Sequence, residues 1–373
     1  MGGASNVVGD ALGWTKQGSK AAIAVVVGTR RSAPRPIGTK MAIGGQGEIS
    51  GAVSGGCVEG AVIVEAEQIM QGDEPRLISY GFTDEEAWDV GLQCGGEIDV
   101  WIEPYRPDLE EPSGGDSPHA LNTAFAELQE SGGRGSLVTA MDGSALGKKL
   151  LVLADGSVRG TTDIPELDTS AVTHARKLMW EGRSVLITEG ERAFFVDVTA
   201  PLSRLFIFGA VDYAAALCRL ARASGWLPYV IDPRSRFAQP VRFPDAEAVV
   251  AEWPEIAFEQ LGGVDRATAI VVLTHDPKLD DAALHAALAS EATYIGAMGS
   301  RNAQKARRER LIEGGITPTQ LDRIHAPVGL DLGAVTPEET ALSILSEIVA
   351  SGRGREGGRL AHSKHRIHNT AGV

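Results

Sequence analysis

Residues 204–225 read RLFIFGAVDYAAALCRLARASG, and this stretch decides the architecture of the C-terminal half. Arg204 opens a short, wholly apolar run that stops at Gly209, as a strand buried on both faces does. From Asp212 the apolar positions return at helical spacing until Gly225 ends the segment. WLPYVIDPR then reads as a second strand, and ATAIVVLTHD and EATYIGAMGS as two more, each followed by a helical segment. Strands alternating with helices predict a doubly wound parallel sheet covered on both faces. VTPEETALSILSEIVASG closes the series as a helix, with Thr336 as N-cap, Pro337 in the first turn and Glu339 completing a capping box.

The turn between the first strand and helix sits where a Rossmann-type dinucleotide fingerprint belongs, with Asp232 placed like a ribose-binding acid. Against G-x-G-x-x-G/A it reads Gly209-Ala210-Val211-Asp212-Tyr213-Ala214. Val211 fills the position where a backbone must approach a pyrophosphate. Asp212 is expected to cap the helix itself and to repel phosphate. NAD(P) is therefore not expected here, although a nicotinamide-dependent oxidoreductase is the competing reading of this half.

A chain of 373 residues exceeds what one core serves. We expect a mixed α/β domain over 1–200, the Rossmann-like domain over 201–351, and a basic, disordered tail over 352–373. The net charge of −14 argues against nonspecific nucleic-acid binding. No apolar run approaches the ~18 residues of a membrane span. Three cysteines without close spacing predict reduced thiols and a cytoplasmic protein.

Two of those cysteines sit in glycine turns: Ser54-Gly55-Gly56-Cys57 before a helical segment, and Cys94-Gly95-Gly96 before a strand. The loop TRRSAPRPIGTK supplies Arg31, Arg35 and Lys40 just ahead of the first turn. A thiol beside guanidinium groups or at a helix N-terminus gains thiolate character, and guanidinium groups grip phosphate. A cationic, glycine-lined loop carrying a thiol suits an anionic ligand that accepts soft sulfur. Both cysteines can equally be small core residues. Farther on, Gly299 and Ser300 can present N–H groups at a helix start, with Arg301, Lys305 and Arg308 on one face. His275-Asp276 falls at a strand end, where Asp276 is the natural helix cap.

RSAPRPIGTKMAI, GAVSGGCVEGAVI and GLQCGGEIDVWIEP resemble the N-terminal signatures of the XdhC/CoxI family of xanthine dehydrogenase accessory proteins. YIGAMGSRNAQKARRERL and IHAPVGLDLGAVTPEETALSILSEIVA are similar to its Rossmann-like domain. The resemblance covers about 20–105 and 204–351, and no signature falls between. It implies a chaperone that binds the molybdenum cofactor, as molybdopterin or its dinucleotide form. It further implies that a cysteine desulfurase sulfurates this cofactor and that a molybdenum hydroxylase such as xanthine dehydrogenase receives it. A homodimer is expected. Cys57 would meet the metal–sulfur end with Cys94 facing the same pocket; Ser54, Gly55 and Gly56 would let the pterin approach; Arg31, Arg35 and Lys40 would hold the phosphate. Gly299, Ser300 and Arg301 are second-domain candidates for the cofactor. The chain is not expected to be xanthine dehydrogenase itself, whose iron–sulfur clusters need four cysteine ligands each.

Overall fold

A computed structural model describes residues 7–30, 35–81, 96–106 and 116–363. Arg31, Cys94 and the tail from Lys364 lie outside them. The chain divides into two compact units, meeting in sequence at Pro201 and Leu202.

The N-terminal unit carries one order of elements twice. The first half runs α1 (Val7–Lys16), β1 (Ala21–Arg30), β2 (Lys40–Gly44), β3 (Ile49–Gly51), α2 (Glu59–Gln71), β4 (Arg76–Gly81) and β5 (Glu97–Tyr105). The second runs α3 (Pro118–Glu130), β6 (Gly135–Ala140), β7 (Lys149–Leu153), β8 (Val158–Gly160), α4 (Pro165–Glu181), β9 (Val185–Glu189) and β10 (Arg192–Thr199). Each half forms an antiparallel five-stranded sheet, β3-β2-β1-β5-β4 and β8-β7-β6-β10-β9. Numbered from its own first strand, each is 3-2-1-5-4.

The match extends to single residues. A lysine opens the second strand of each half, Lys40 and Lys149. A glycine ends the third, Gly51 at φ +74° and Gly160 at φ +82°. A Cβ on either would fall under 3.0 Å from the carbonyl oxygen of its half's lysine. The left-handed φ and the close approach both demand glycine there.

One apolar cluster draws on both halves, including Val7, Ile23, Trp101, Met141 and Phe195. Two ion pairs cross within the unit. Lys40 Nζ lies 2.5 Å from Asp197 of the second half, and Lys149 Nζ lies 3.0 Å from Glu103 of the first. The carboxylates occupy equivalent places: Glu103 pairs with Ile23 and Asp197 with Leu137, each the third residue of its half's first strand. A cavity of about 20 Å³ is lined by all four charged residues. Burial alone would raise the Glu103 carboxyl, but Lys149, with hydrogen bonds from Trp101, Asn122 and Lys149, holds it below its ordinary range.

The C-terminal unit is the predicted parallel sheet. Its elements are β11 (Arg204–Phe208), α5 (Asp212–Ala223), β12 (Leu227–Ile231), β13 (Ala248–Val250), α6 (Pro254–Gln260), β14 (Thr268–Val272), α7 (Pro277–Ala289), β15 (Tyr294–Ala297), α8 (Arg301–Glu313), α9 (Pro318–Leu321), β16 (Ile324–His325) and α10 (Pro337–Gly352). Strand order is β13-β12-β11-β14-β15-β16. Successive strands leave β11 in opposite directions, so the switch point falls between β11 and β14. Separate apolar clusters cover the two faces. The capping box of α10 forms as the sequence predicts, with Thr336 accepting from the N–H of Glu339 and Glu339 accepting from that of Thr336.

Candidate functional site

In the N-terminal unit the basic loop and the approach to the first cysteine turn line one cavity of about 660 Å³. Its walls include Arg35, Gly38 and Lys40 from the loop, Gly51 and Ala52 from the end of β3, and Val8 and Gln129 from helices. The volume is that of an ordinary small-molecule site. Arg35 makes no ion pair among the described residues. Lys40 does not supply the free cation expected of it. Its ammonium is spent on Asp197, and its side chain is only 15% exposed. Local sequence could not reveal this, because the partner lies far along the chain.

The cysteine turn differs from expectation in where its donors point. The backbone N–H groups of Gly55 and Gly56 do not face an incoming ligand. Both donate to Glu59, at 2.8 Å each. Ser54 adds its N–H at 2.8 Å and its hydroxyl at 2.5 Å. Burial would raise the Glu59 carboxyl, but these hydrogen bonds pull it down to about 2. The glycines are needed for their backbone, at φ +97° and +124°, while nothing stands within 4 Å of where their Cβ atoms would be. Their outer faces are open to an approaching molecule. Cys57 is half-buried against the core of the first sheet, and its N–H donates to Ser54 Oγ at 3.1 Å. Glu59 is the residue the sequence reading passed over, although its place five after Ser54, at the start of a helix, was visible.

The third cysteine, Cys218, lies fully buried on α5, where burial pushes its thiol up to about 12. It belongs to the core.

At the switch point the expected dinucleotide site is built over. Asp232, 1% exposed, accepts from the Ala210 N–H at 2.9 Å and from two guanidinium nitrogens of Arg234 at 2.7 and 2.9 Å. Burial would raise this carboxyl; the hydrogen bonds from Arg234 and Ala210 lower it instead. A cavity of about 10 Å³ remains between Gly209, Asp232, Trp253 and Thr274. Asp212 does not cap α5 as expected: its side chain is 90% exposed, 3.6 Å from Arg242, and the capping residue Val211 offers no side-chain hydrogen bond. Asp276 does cap α7, accepting from the N–H of Lys278.

Gly299 bends the chain at φ +139° into α8, and Ser300 caps it by accepting from the N–H of Ala303. Arg301 and Lys305 are exposed, and Arg308 lies 3.6 Å from Asp322. The buried cation of this helix is Arg307, 2.5 Å from Asp280 and 2.9 Å from the carbonyl of Met298. These residues lie in the C-terminal unit, the cysteine turn in the N-terminal one.

The pattern described as the XdhC and CoxI family matches residues 14–81, and the XdhC Rossmann domain matches 205–348. The chain is 26% identical over 332 residues to a Bacillus subtilis protein named as a probable xanthine dehydrogenase subunit, covering 88% of this chain and 92% of that one. It is 26% identical over 336 residues to the molybdenum cofactor insertion chaperone PaoD of Escherichia coli, covering 89% and 84%. The fold is similar to the crystal structure of a xanthine dehydrogenase from Bacillus halodurans, with a TM-score of 0.58, 24% identity, and coverage of 96% and 98%. At that identity the likeness is one of fold.

Proposed function

This chain belongs to the XdhC/CoxI family, and from that premise we propose that it is a molybdenum-cofactor chaperone whose cargo site lies in the N-terminal unit. The observation that carries the reading is the cavity of about 660 Å³ that joins Arg35 to Gly51 and Ala52, the residues leading into the cysteine turn. Guanidinium meets phosphate bidentately, and the open faces of Gly55 and Gly56 let a flat pterin approach Cys57. The name of the Escherichia coli relative supports the same cargo.

The residues fit such a cargo. Its metal arrives bound by the pterin's own dithiolene sulfurs. Among the described residues no group of three or more His, Cys, Asp or Glu could hold a metal ion, and such a cargo does not require one. Cys57 would contribute one soft ligand or accept sulfur. Arg35, with Arg31 near it in sequence, would hold the phosphate. Lys40, already neutralised by Asp197, has no part in this reading. Cys94, outside the described residues, stays in the proposal as the second thiol that the family resemblance implies.

Sulfuration by a cysteine desulfurase, transfer to a molybdenum hydroxylase, a cytoplasmic setting and a homodimer complete the proposal. Among the described residues no helix is long and apolar enough to cross a membrane. The mononucleotide and dinucleotide forms of the cofactor both remain within it. The proposal assigns no NAD(P) to the C-terminal unit, on the ground that Arg234 and Ala210 already occupy Asp232.

Paired measurements on the full chain test the reading. A hydrogen bond to a charged group contributes about 1.5–3 kcal/mol, so Arg35→Ala should weaken cofactor binding roughly tenfold or more without unfolding the protein. Cys57→Ala should bind cofactor and fail to activate the client enzyme. Normal binding by Arg35→Ala, or full activation by Cys57→Ala, removes the site from this unit and turns attention to Gly299, Ser300 and Arg301.

A further inference from the structure

We propose that Glu59 is a positioning residue, which presets the turn carrying Cys57 before any ligand arrives. The proposal rests on the reading that Cys57 handles the sulfur end of the cargo. Five consecutive backbone N–H groups are tied down by one carboxylate and one hydroxyl. Glu59 Oε1 accepts from Ser54 and Gly55, and Oε2 from Gly56 and the Ser54 hydroxyl. Ser54 Oγ in turn accepts from Cys57 and Val58 at 3.1 Å each. The apolar residue ahead of α2, Val58, cannot cap the helix with its own side chain. The clamp instead fixes the N–H groups of residues 54–58, just ahead of the helix.

The second half of the unit supplies an independent observation. At the equivalent junction, Asp168 in α4 accepts from the Thr162 N–H at 2.9 Å, from the Thr162 hydroxyl, and from the Thr161 hydroxyl at 2.7 Å. Thr162 Oγ1 accepts from the N–H of Ile164, again an apolar residue ahead of its helix. The hydroxyl–carboxylate clamp is therefore common to both halves, including the one with no cysteine. It belongs to the junction, and its donors are not waiting for a ligand. What differs is the span it closes. From Gly51 to Val58 the chain is three residues longer than from Gly160 to Ile164, and the longer turn holds Gly55, Gly56 and Cys57. Glu59 thus keeps an extended, glycine-rich turn as ordered as its short counterpart, with the thiol fixed on it.

The test uses the full chain without cofactor. Glu59→Gln keeps the shape but replaces one acceptor oxygen by an amide nitrogen facing donors. Amides 54–58 should then exchange with solvent at least tenfold faster. Alkylation of Cys57 by iodoacetamide, followed by peptide mass spectrometry to separate it from the other cysteines, should speed up at least threefold. Ser54→Ala should do the same, and covers the case in which Glu59→Gln fails to fold. Ser54→Thr, which copies Thr162, should behave as wild type. Asp168→Asn should loosen its own junction and leave Cys57 labelling unchanged, which a general loss of stability would not do. Unchanged exchange and labelling in Glu59→Gln, or an equal response of Cys57 to Asp168→Asn, overturns the proposal. Full client activation by Cys57→Ala would instead remove the role assigned to Cys57, while the exchange data still decide whether Glu59 sets the turn.

Discussion

The two halves of the N-terminal unit share strand order, lysine, glycine, crossed carboxylate and junction clamp, yet only the first carries a family signature and a cysteine turn. One framework therefore serves two ends. In the second half the junction is short and rich in hydroxyl groups, and its donors are satisfied within a few residues. In the first half three added residues convert the same junction into an open glycine face with a thiol. The proposed function is placed on a turn whose geometry the framework already sets, in keeping with the general placement of sites on loops held by rigid elements.

The comparison breaks most sharply at the crossed ion pairs, because their burial is unequal. The Lys149 side chain is 2% exposed and that of Lys40 is 15%. Removing one partner of a fully buried pair strands the other charge, so Lys149→Ala should cost about 3–5 kcal/mol in urea unfolding. Lys40→Ala should cost less, about 1–3 kcal/mol, because solvent reaches Asp197 through the vacated side chain. Lys149→Met combined with Glu103→Leu should recover only part of the loss, because Trp101 Nε1 and Asn122 Nδ2 then lose their acceptor. Equal costs for the two lysines would mean that the halves are energetically as well as topologically alike.

Gly51→Ala and Gly160→Ala should sharpen the likeness. Each forces a left-handed φ and a clash with a lysine carbonyl, and each should lose about 1–3 kcal/mol. A difference between them beyond roughly 0.5 kcal/mol would show that one junction relaxes and the other does not.

The smallest effect is a pH dependence. A carboxyl lowered by folding stabilises above its unfolded value and loses that contribution as pH falls through its folded value. For Glu59 the window runs from 4.5 down to about 2. Wild type and Glu59→Gln should therefore differ in melting temperature near neutral pH and converge toward pH 2. A constant offset across that range would show that the clamp does not depend on the charge.

The C-terminal unit was legible because each of its strands is a continuous apolar run and its helices carry their caps in sequence, as at Thr336 and Asp276. In the N-terminal unit the apolar runs of β1 and β5 are plain in the sequence, but their pairing is not. KMAIGGQGEISG from Lys40 and KLLVLADGSVRG from Lys149 share the lysine and, at the same intervals, the glycine pairs Gly47/Gly156 and Gly51/Gly160, and that was the available sign of the repeat. It is faint because alternating sheet positions accept almost any apolar side chain. The ion pair of Lys40 was hidden for a different reason. A lysine beside arginines looks like part of a cationic surface, and only the packing of the two halves brings Asp197 to it. Glu59 was missed because an acid in a first helical turn ordinarily answers the helix dipole and nothing more. Asp212 was misjudged the opposite way: the pattern of a cap was present, but its side chain turned to solvent near Arg242.

The crossed pairs also bear on how the gene could be cut. The first half alone keeps Lys40 and Glu103 and loses both of their partners, leaving two unlike charges on a face that is otherwise apolar. The second half is left with Lys149 and Asp197 in the same condition. Neither fragment is expected to fold as an autonomous domain. Each presents a surface whose best remaining complement is another copy of itself, since the charge that one copy lacks the next one offers. A boundary drawn where the family match ends, at residue 81, is worse still, because β5 runs between β1 and β4 and would be left out of the middle of its own sheet. Expression trials should take the unit through Pro201, or expect aggregates.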